Sequence, residues 1–198
     1  MNTTTSGSLA YKLERPEQII NGKVVMMASA SVPHGFVAEN INNIFYNYLR
    51  GKRCTPFGDG TDLYLEDDKE RYIPDGMIVC DPEKIKFNGV HGAPDLVVEI
   101  LSPSTSRYDM GHKMKVYEKH GVRECWIVNP VTRSLNQYLL KDGQFVLWNV
   151  YMLYTEEMLK DMKEEERAAI VTEFQCSLFD DLTIRLEDVF YRVPAVRW

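Results

Sequence analysis

One stretch constrains the fold of this chain more than any other: Gly92 to Pro130, GAPDLVVEILSPSTSRYDMGHKMKVYEKHGVRECWIVNP. Within it LVVEIL holds five apolar residues in six, the pattern of a strand buried on both faces. SPSTS then turns the chain. Ser106 can cap a helix that runs to His120, with Asp109 in its first turn and Gly121 as its stop. ECWIVN is a second apolar strand, ending at Pro130. Strand, helix and strand in succession make a parallel, right-handed crossover the default. A chain with that unit at its centre is α/β in class.

Some residues are out of place in this unit. Alternation along the first strand sends Leu96, Val98 and Ile100 one way and Asp95, Val97, Glu99 and Leu101 the other. A charge in such a strand is costly unless it is paired or holds a metal. Asp95 and Glu99 are four residues apart, roughly 13 Å at about 3.3 Å per residue, too far to share one ion. Glu99 therefore needs a partner from a neighbouring strand. Asp75, in RYIPDGMIVCD, shares a face with Met77 and Val79 and is the candidate; a plain surface or turn role is its alternative. On the helix, Met110, Met114 and Tyr117 form the inward stripe. Lys113 falls on that stripe, whereas Lys115 and Lys119 fall off it. Lys113 either points toward Glu99 or snorkels along the stripe into water.

The remaining chain reads in order. QIINGKVVMMA carries Asn-Gly between apolar runs, the mark of a tight β-hairpin over Gln18 to Ala28. Val37, Ile41, Ile44, Phe45 and Tyr48 recur at helical spacing and predict a helix from about Pro33 to Arg50, capped by Ser31 and stopped by Gly51. His34 lies on the inward face of its first turn, as a cap, a core histidine or a site residue. Cys54 to Asp81 reads as two strands, the second covering Tyr72 to Cys80. A loop follows over Asp81 to Ala93. Leu135 to Leu140 and Gln144 to Tyr151 form a hairpin around Lys-Asp-Gly. Thr155 to Ala169 reads as one exposed, highly charged helix, and a strand and short helix end the chain.

Composition excludes several classes. A net charge of −6 argues against a generic nucleic-acid coat protein. No apolar run reaches the roughly 20 residues of a membrane span. The N-terminus lacks a secretory signal and reads as a disordered or extended lead over residues 1–17, with a single domain over 18–198. The four cysteines are far apart and fit reduced, mostly buried thiols of a cytoplasmic protein.

Two carboxylates from adjacent strands and a lysine from the packed helix suit a hard divalent cation, Mg²⁺ or Mn²⁺. With the Ile100 backbone carbonyl as a further ligand, such a site can polarise a phosphodiester. The order helix, three strands with Asp then Glu, helix, strand resembles the core of the PD-(D/E)XK nuclease superfamily. More closely, the chain resembles the Uma-two family of restriction-endonuclease-like proteins. The likeness rests on NGKVVMMA, His34, IPDGMIV, PDLVVEILSPST, Asp109 with Lys113 and Tyr117, and GVRECWIVNP, and spans roughly Gln18 to Phe190.

The resemblance implies a restriction-endonuclease-like mixed β-sheet core flanked by helices, with an N-terminal hairpin and extra C-terminal strands. It implies a metal-dependent DNA endonuclease with Asp75, Glu99 and Lys113 as its motif residues. His34 would lie near the metal, and Asp95, Ser102 and Asp109 at the rim. Leu101 stands where the plain motif has its lysine, so the family reading moves that lysine to Lys113. Nucleases of this fold often act as dimers. The rival reading is a non-catalytic nuclease-fold protein that binds nucleic acid or a protein partner.

Overall fold

The computed structural model describes residues 17–27, 29–66, 69–102 and 108–194, with the side chains of residues 108 and 109 left out. The expected lead therefore lies, but for Glu17, outside the described residues, as does the Ser106 cap.

The chain opens with the predicted hairpin, β1 (Glu17–Ile20) and β2 (Lys23–Met26). Its turn residues Asn21 and Gly22 have φ of 52° and 72°, as an Asn-Gly type I′ turn requires. Helix α1 (Val32–Leu49) follows; Ser31 caps it by accepting the His34 amide at 3.4 Å. Its apolar stripe of Val37, Ile41, Phe45 and Leu49 is buried, at roughly 1.5–3 kcal/mol per large side chain.

Four strands then stand where the sequence predicts two: β3 (Thr55–Gly58), β4 (Leu63–Glu66), β5 (Glu70–Tyr72) and β6 (Gly76–Val79). Gly-Asp-Gly at 58–60 ends β3. Pro74, which has no N–H for a ladder, splits the expected strand over Tyr72 to Cys80. β5 and β6 belong to different sheets, and Ile73–Asp75 carries the chain between them.

A 3₁₀ turn (Pro82–Lys84) leads to a short hairpin, β7 (Ile85–Lys86) and β8 (Gly89–His91). The central unit comes next: β9 (Leu96–Ile100), α2 (Tyr108–His120) and β10 (Glu124–Asn129). β9 and β10 pair in parallel, as predicted. β11 (Ser134–Lys141) and β12 (Gln144–Met152) form the second hairpin. The expected charged helix is two short ones, α3 (Glu156–Lys160) and α4 (Glu164–Ala168). Without an apolar stripe to bury, nothing holds one long helix together, and Glu166 restarts the second by accepting the Lys163 amide at 2.9 Å. β13 (Glu173–Gln175), β14 (Thr183–Arg185) and α5 (Leu186–Val189) complete the chain.

The fold is a mixed α/β arrangement with two six-stranded sheets, ordered β12-β11-β10-β9-β6-β3 and β2-β1-β5-β4-β8-β7. The first sheet is covered on both faces. Leu96, Val98 and Ile100 pack with α1, Trp126 and the C-terminal elements. Val97 and Met77 pack with Val116 and Tyr117 of α2 and with Leu63, Tyr72 and Val90 of the second sheet. The predicted alternation along β9 thus decides which residue meets which layer. No helix among the described residues is long and apolar enough to cross a membrane.

The cysteines depart from expectation in part. Cys125 and Cys176 are free and buried, but Cys54 and Cys80 form a disulfide with Cα atoms 4.0 Å apart. Thr55 pairs with Val79 in the β3–β6 ladder, so Cys54 and Cys80 face each other one step beyond it. A separation of 26 residues gives no hint of this until the pairing is known.

Candidate active site

Asp75 lies one residue before β6. The ladder pairs Gly76 with Val98 and Met77 with Val97. One step further, Asp75 leaves the ladder beside the Val98–Ile100 end of β9, where its charge acts on Glu99. The Asp75 amide donates to the Val98 carbonyl at 3.1 Å. Its own carbonyl accepts the Asn42 side-chain amide at 3.1 Å, inside the core. Gly58 and Gly76 flank that amide: a Cβ at either position would come within 2.9 and 3.1 Å of Asn42 side-chain atoms. The glycines thus leave room for a clamp from α1 onto the sheet crossing.

The Asp75 carboxylate is held at both oxygens. Oδ2 accepts the Ile100 amide at 2.6 Å, and Oδ1 meets His34 Nε2 at 3.1 Å. Amide and carbonyl of one strand residue face the same side, so the Ile100 carbonyl opens toward Asp75. Glu99 accepts Lys113 Nζ at 3.1 and 2.9 Å and the Tyr117 hydroxyl at 2.5 Å. Asp75, Glu99 and Lys113 are 7%, 5% and 7% exposed. Lys115 is exposed, and Lys119 binds Glu66 at the surface. The helical phase therefore selects the inward lysine.

A polar chain continues into the second sheet. The Tyr72 ring lies 5.5 Å from Lys113 Nζ and edge-on to Tyr117 at 5.6 Å. The Tyr72 hydroxyl donates to buried Glu70, which also meets His112 Nε2 at 2.9 Å and accepts the Asn21 amide at 3.2 Å.

Charge is concentrated here. Burial pushes the Glu99 carboxyl above its ordinary range; Lys113 opposes this and the Asp75 charge adds to it. Burial pulls the His34 imidazole down, but the hydrogen bond and charge of Asp75, with Asp59 and Glu99 beyond, outweigh it and leave His34 raised. Asp59, in the β3–β4 turn, is raised by burial and then by the Asp75 charge. Burial and the adjoining Glu99 hold the Tyr117 phenol protonated.

The fold thus brings together Asp75, Glu99, Lys113 and His34. Asp95 stands at the other end of β9, where it accepts the Cys80 amide at 2.8 Å and meets Arg123 at 3.5 Å. Ser102 follows β9 and is half-buried. Asp109 is in the first turn of α2, but its side chain lies outside the described residues. Sequence reasoning passed over Asn42 and Asp59. Asn42 is one turn from Ala38 on the buried stripe and was visible by helical phase; Asp59 sits in Gly-Asp-Gly, which reads only as a turn.

No group of three or more His, Cys, Asp or Glu able to hold a metal occurs among the described residues. The donor set here is smaller and harder: two carboxylates and a carbonyl, suited to a cation that keeps several waters. His34 and Ile100 take two of the roughly four acceptor directions of Asp75. The mutual repulsion of Asp75 and Glu99 is what a divalent cation would relieve. The residues fit Mg²⁺ or Mn²⁺.

The profile of the family described as Uma2, putative restriction endonuclease, matches residues 10–163. The uncharacterized protein slr1290 of Synechocystis sp. is 30% identical over 134 residues, spanning 67% of this chain and 70% of that one. The uncharacterized protein sll1609 of the same organism is 24% identical over 123 residues, spanning 58% of this chain and 70% of that one. Among solved structures, a putative nuclease belonging to DUF820 from Anabaena variabilis superposes with a TM-score of 0.67 at 18% identity, covering 91% of this chain and 93% of the other. At that identity the likeness establishes a shared fold.

Proposed function

The chain belongs to the Uma2 family of putative restriction endonucleases, and from that premise we propose that it is a Mg²⁺- or Mn²⁺-dependent endonuclease that hydrolyses DNA phosphodiesters. The observation that carries the reading is Lys113: it reaches from α2 to meet Glu99, on which the Asp75 charge also acts. It thereby replaces the lysine missing at Leu101.

Asp75, Glu99 and the Ile100 carbonyl would hold the cation. When bound, it supplies a Lewis acid for the phosphodiester and a more acidic water. Lys113 directs two N–H groups at Glu99 and keeps a third donor for the scissile phosphate or the attacking water. Tyr117 fixes the Glu99 carboxylate, and the Tyr72 face supports the Lys113 charge. His34 orients Asp75 through Nε2. Asp95, Ser102 and Asp109 remain rim candidates. We read residues 18–198 as one domain acting on DNA in the cytoplasm, as a homodimer when both strands are cut.

The test is cleavage of supercoiled plasmid. Wild type nicks or cuts it with Mg²⁺ or Mn²⁺ and not in EDTA, and Glu99→Ala abolishes this. Cleavage that survives in both Asp75→Ala and Glu99→Ala is a contaminant and sinks the assignment.

One observation favours a second reading. Lys113 and Tyr117 already occupy both Glu99 oxygens, a closed network that a non-catalytic nuclease-fold binder would also show. That reading predicts nucleic-acid or protein binding that divalent ions do not change.

A further inference from the structure

We propose that the β7–β8 hairpin is the arm that grips duplex DNA beside the cut, with the Phe87 ring as a wedge against the base stack; this rests on the endonuclease reading above. The hairpin is short and firmly held. Lys86 pairs with Gly89, so Phe87 and Asn88 form its apex. Val90 is fully buried, and its amide donates to the Asp62 carbonyl at 2.8 Å. His91 stacks on Tyr64 at 4.5 Å and meets Asn88 at 3.0 Å. Gly89 has φ +141°, and a Cβ there would come 2.4 Å from the Asp62 carbonyl oxygen. Yet the apex of this fixed support is a phenyl ring wholly in solvent. Tight turns ordinarily carry small or polar residues there.

Topology sets the arm beside the site. Tyr72, Leu63, Val90 and Ile85 lie side by side across β5, β4, β8 and β7. Beyond that row, β5 runs on to Asp75 and β7 runs on to Phe87, so both leave the sheet at the same end. Three strand spacings separate β5 from β7, about 14 Å. The grooves of B-DNA are ~12 and ~6 Å wide, so an arm at that offset stands over a groove beside a phosphate held at Asp75 and Glu99. The chemistry agrees. From Lys84 to His91 the chain carries two lysines and a histidine and no carboxylate. Asp81 stays at the base, accepting the Glu83 amide at 3.0 Å. Proteins that enter the minor groove set Lys, Arg or Asn beside an apolar wedge that unstacks a base step and kinks the duplex.

The experiment is fluorescence anisotropy of a labelled duplex with the full-length protein in Ca²⁺, alongside a duplex carrying 2-aminopurine as an unstacking reporter. Phe87→Ala should raise Kd about tenfold and abolish the 2-aminopurine signal, with the melting temperature unchanged. Lys86→Ala should weaken binding and lower the salt slope by about one. If Phe87→Ala binds and unstacks like wild type, the arm is wrong while the endonuclease reading stands. If wild type binds no duplex even at low salt, that reading falls and takes the arm with it. If Phe87→Ala changes the sedimentation of the free protein but not its DNA affinity, the apex is a protein contact and the proposal is overturned.

Discussion

Glu99 and Glu124 are both buried carboxylates on the paired strands β9 and β10, and they do opposite things. Glu124, fully buried, lies on the α1 side of the sheet with neutral partners. Trp126 Nε1, the Gln137 amide and the Ser177 amide donate to it at 2.6, 2.7 and 2.8 Å. They come from β10, β11 and the segment after β13, so Glu124 ties the C-terminal elements to the sheet. Glu99, on the α2 side, faces a cation and a second carboxylate, and burial raises its proton affinity. A carboxylate saturated by neutral donors is a structural tie. One held beside a lysine, with the charge of a second carboxylate acting on it, is poised for a ligand. Burial alone does not separate them; the partners do.

The sharpest way to break this contrast is to neutralise each site. Glu99→Gln with Lys113→Met removes both charges together. It should lower cleavage about a thousandfold while leaving stability within about 2 kcal/mol of wild type, read by plasmid assay and urea melt. Glu124→Ala should do the reverse. Stranding several buried donors should destabilise the chain by about 3–5 kcal/mol, with cleavage per folded molecule unchanged. Should that variant not fold, Glu124→Gln gives the same sign at about 1–3 kcal/mol. A large activity loss in stable Glu124→Gln would erase the distinction.

Two smaller effects sharpen the comparison. Cys54→Ser opens a 26-residue closure between β3 and β6 and should lose about 3 kcal/mol in oxidised protein. After reduction the variant and wild type should melt together. His34 gives the smallest effect, a pH dependence in metal-free protein. Its folded pKa is raised, so its pairing with Asp75 stabilises fully below the unfolded value, about 6.5, and is lost as pH rises through the folded value. The melting temperature in EDTA should fall across that window, and His34→Gln should flatten the slope.

The sequence carried the central unit well because period and phase are local. Alternation along β9 separated Glu99 from Ile100, and helical phase picked Lys113 from its neighbours. Strand rise set Asp95 too far from Glu99 and left Asp75 as the candidate partner from a neighbouring strand. What could not be read depends on distant pairing. Pro74 shows that a strand breaks, but not that the chain changes sheets there. The Asn42 clamp and the Cys54–Cys80 disulfide exist only once β3 pairs with β6 and α1 packs across both. Glu124 is instructive in another way: it satisfies the same criterion that flagged Glu99, an acid in an apolar strand, and only its partners reveal a tie.

The endonuclease reading stands or falls on Asp75 and Glu99 forming a divalent-cation site. Calorimetric titration of Mn²⁺ into wild type and Asp75→Asn tests it most directly. Wild type should bind Mn²⁺ saturably and Asp75→Asn should not, with the fold of the variant checked by its melting curve. Absence of binding in wild type, or equal binding in a folded Asp75→Asn, would contradict it.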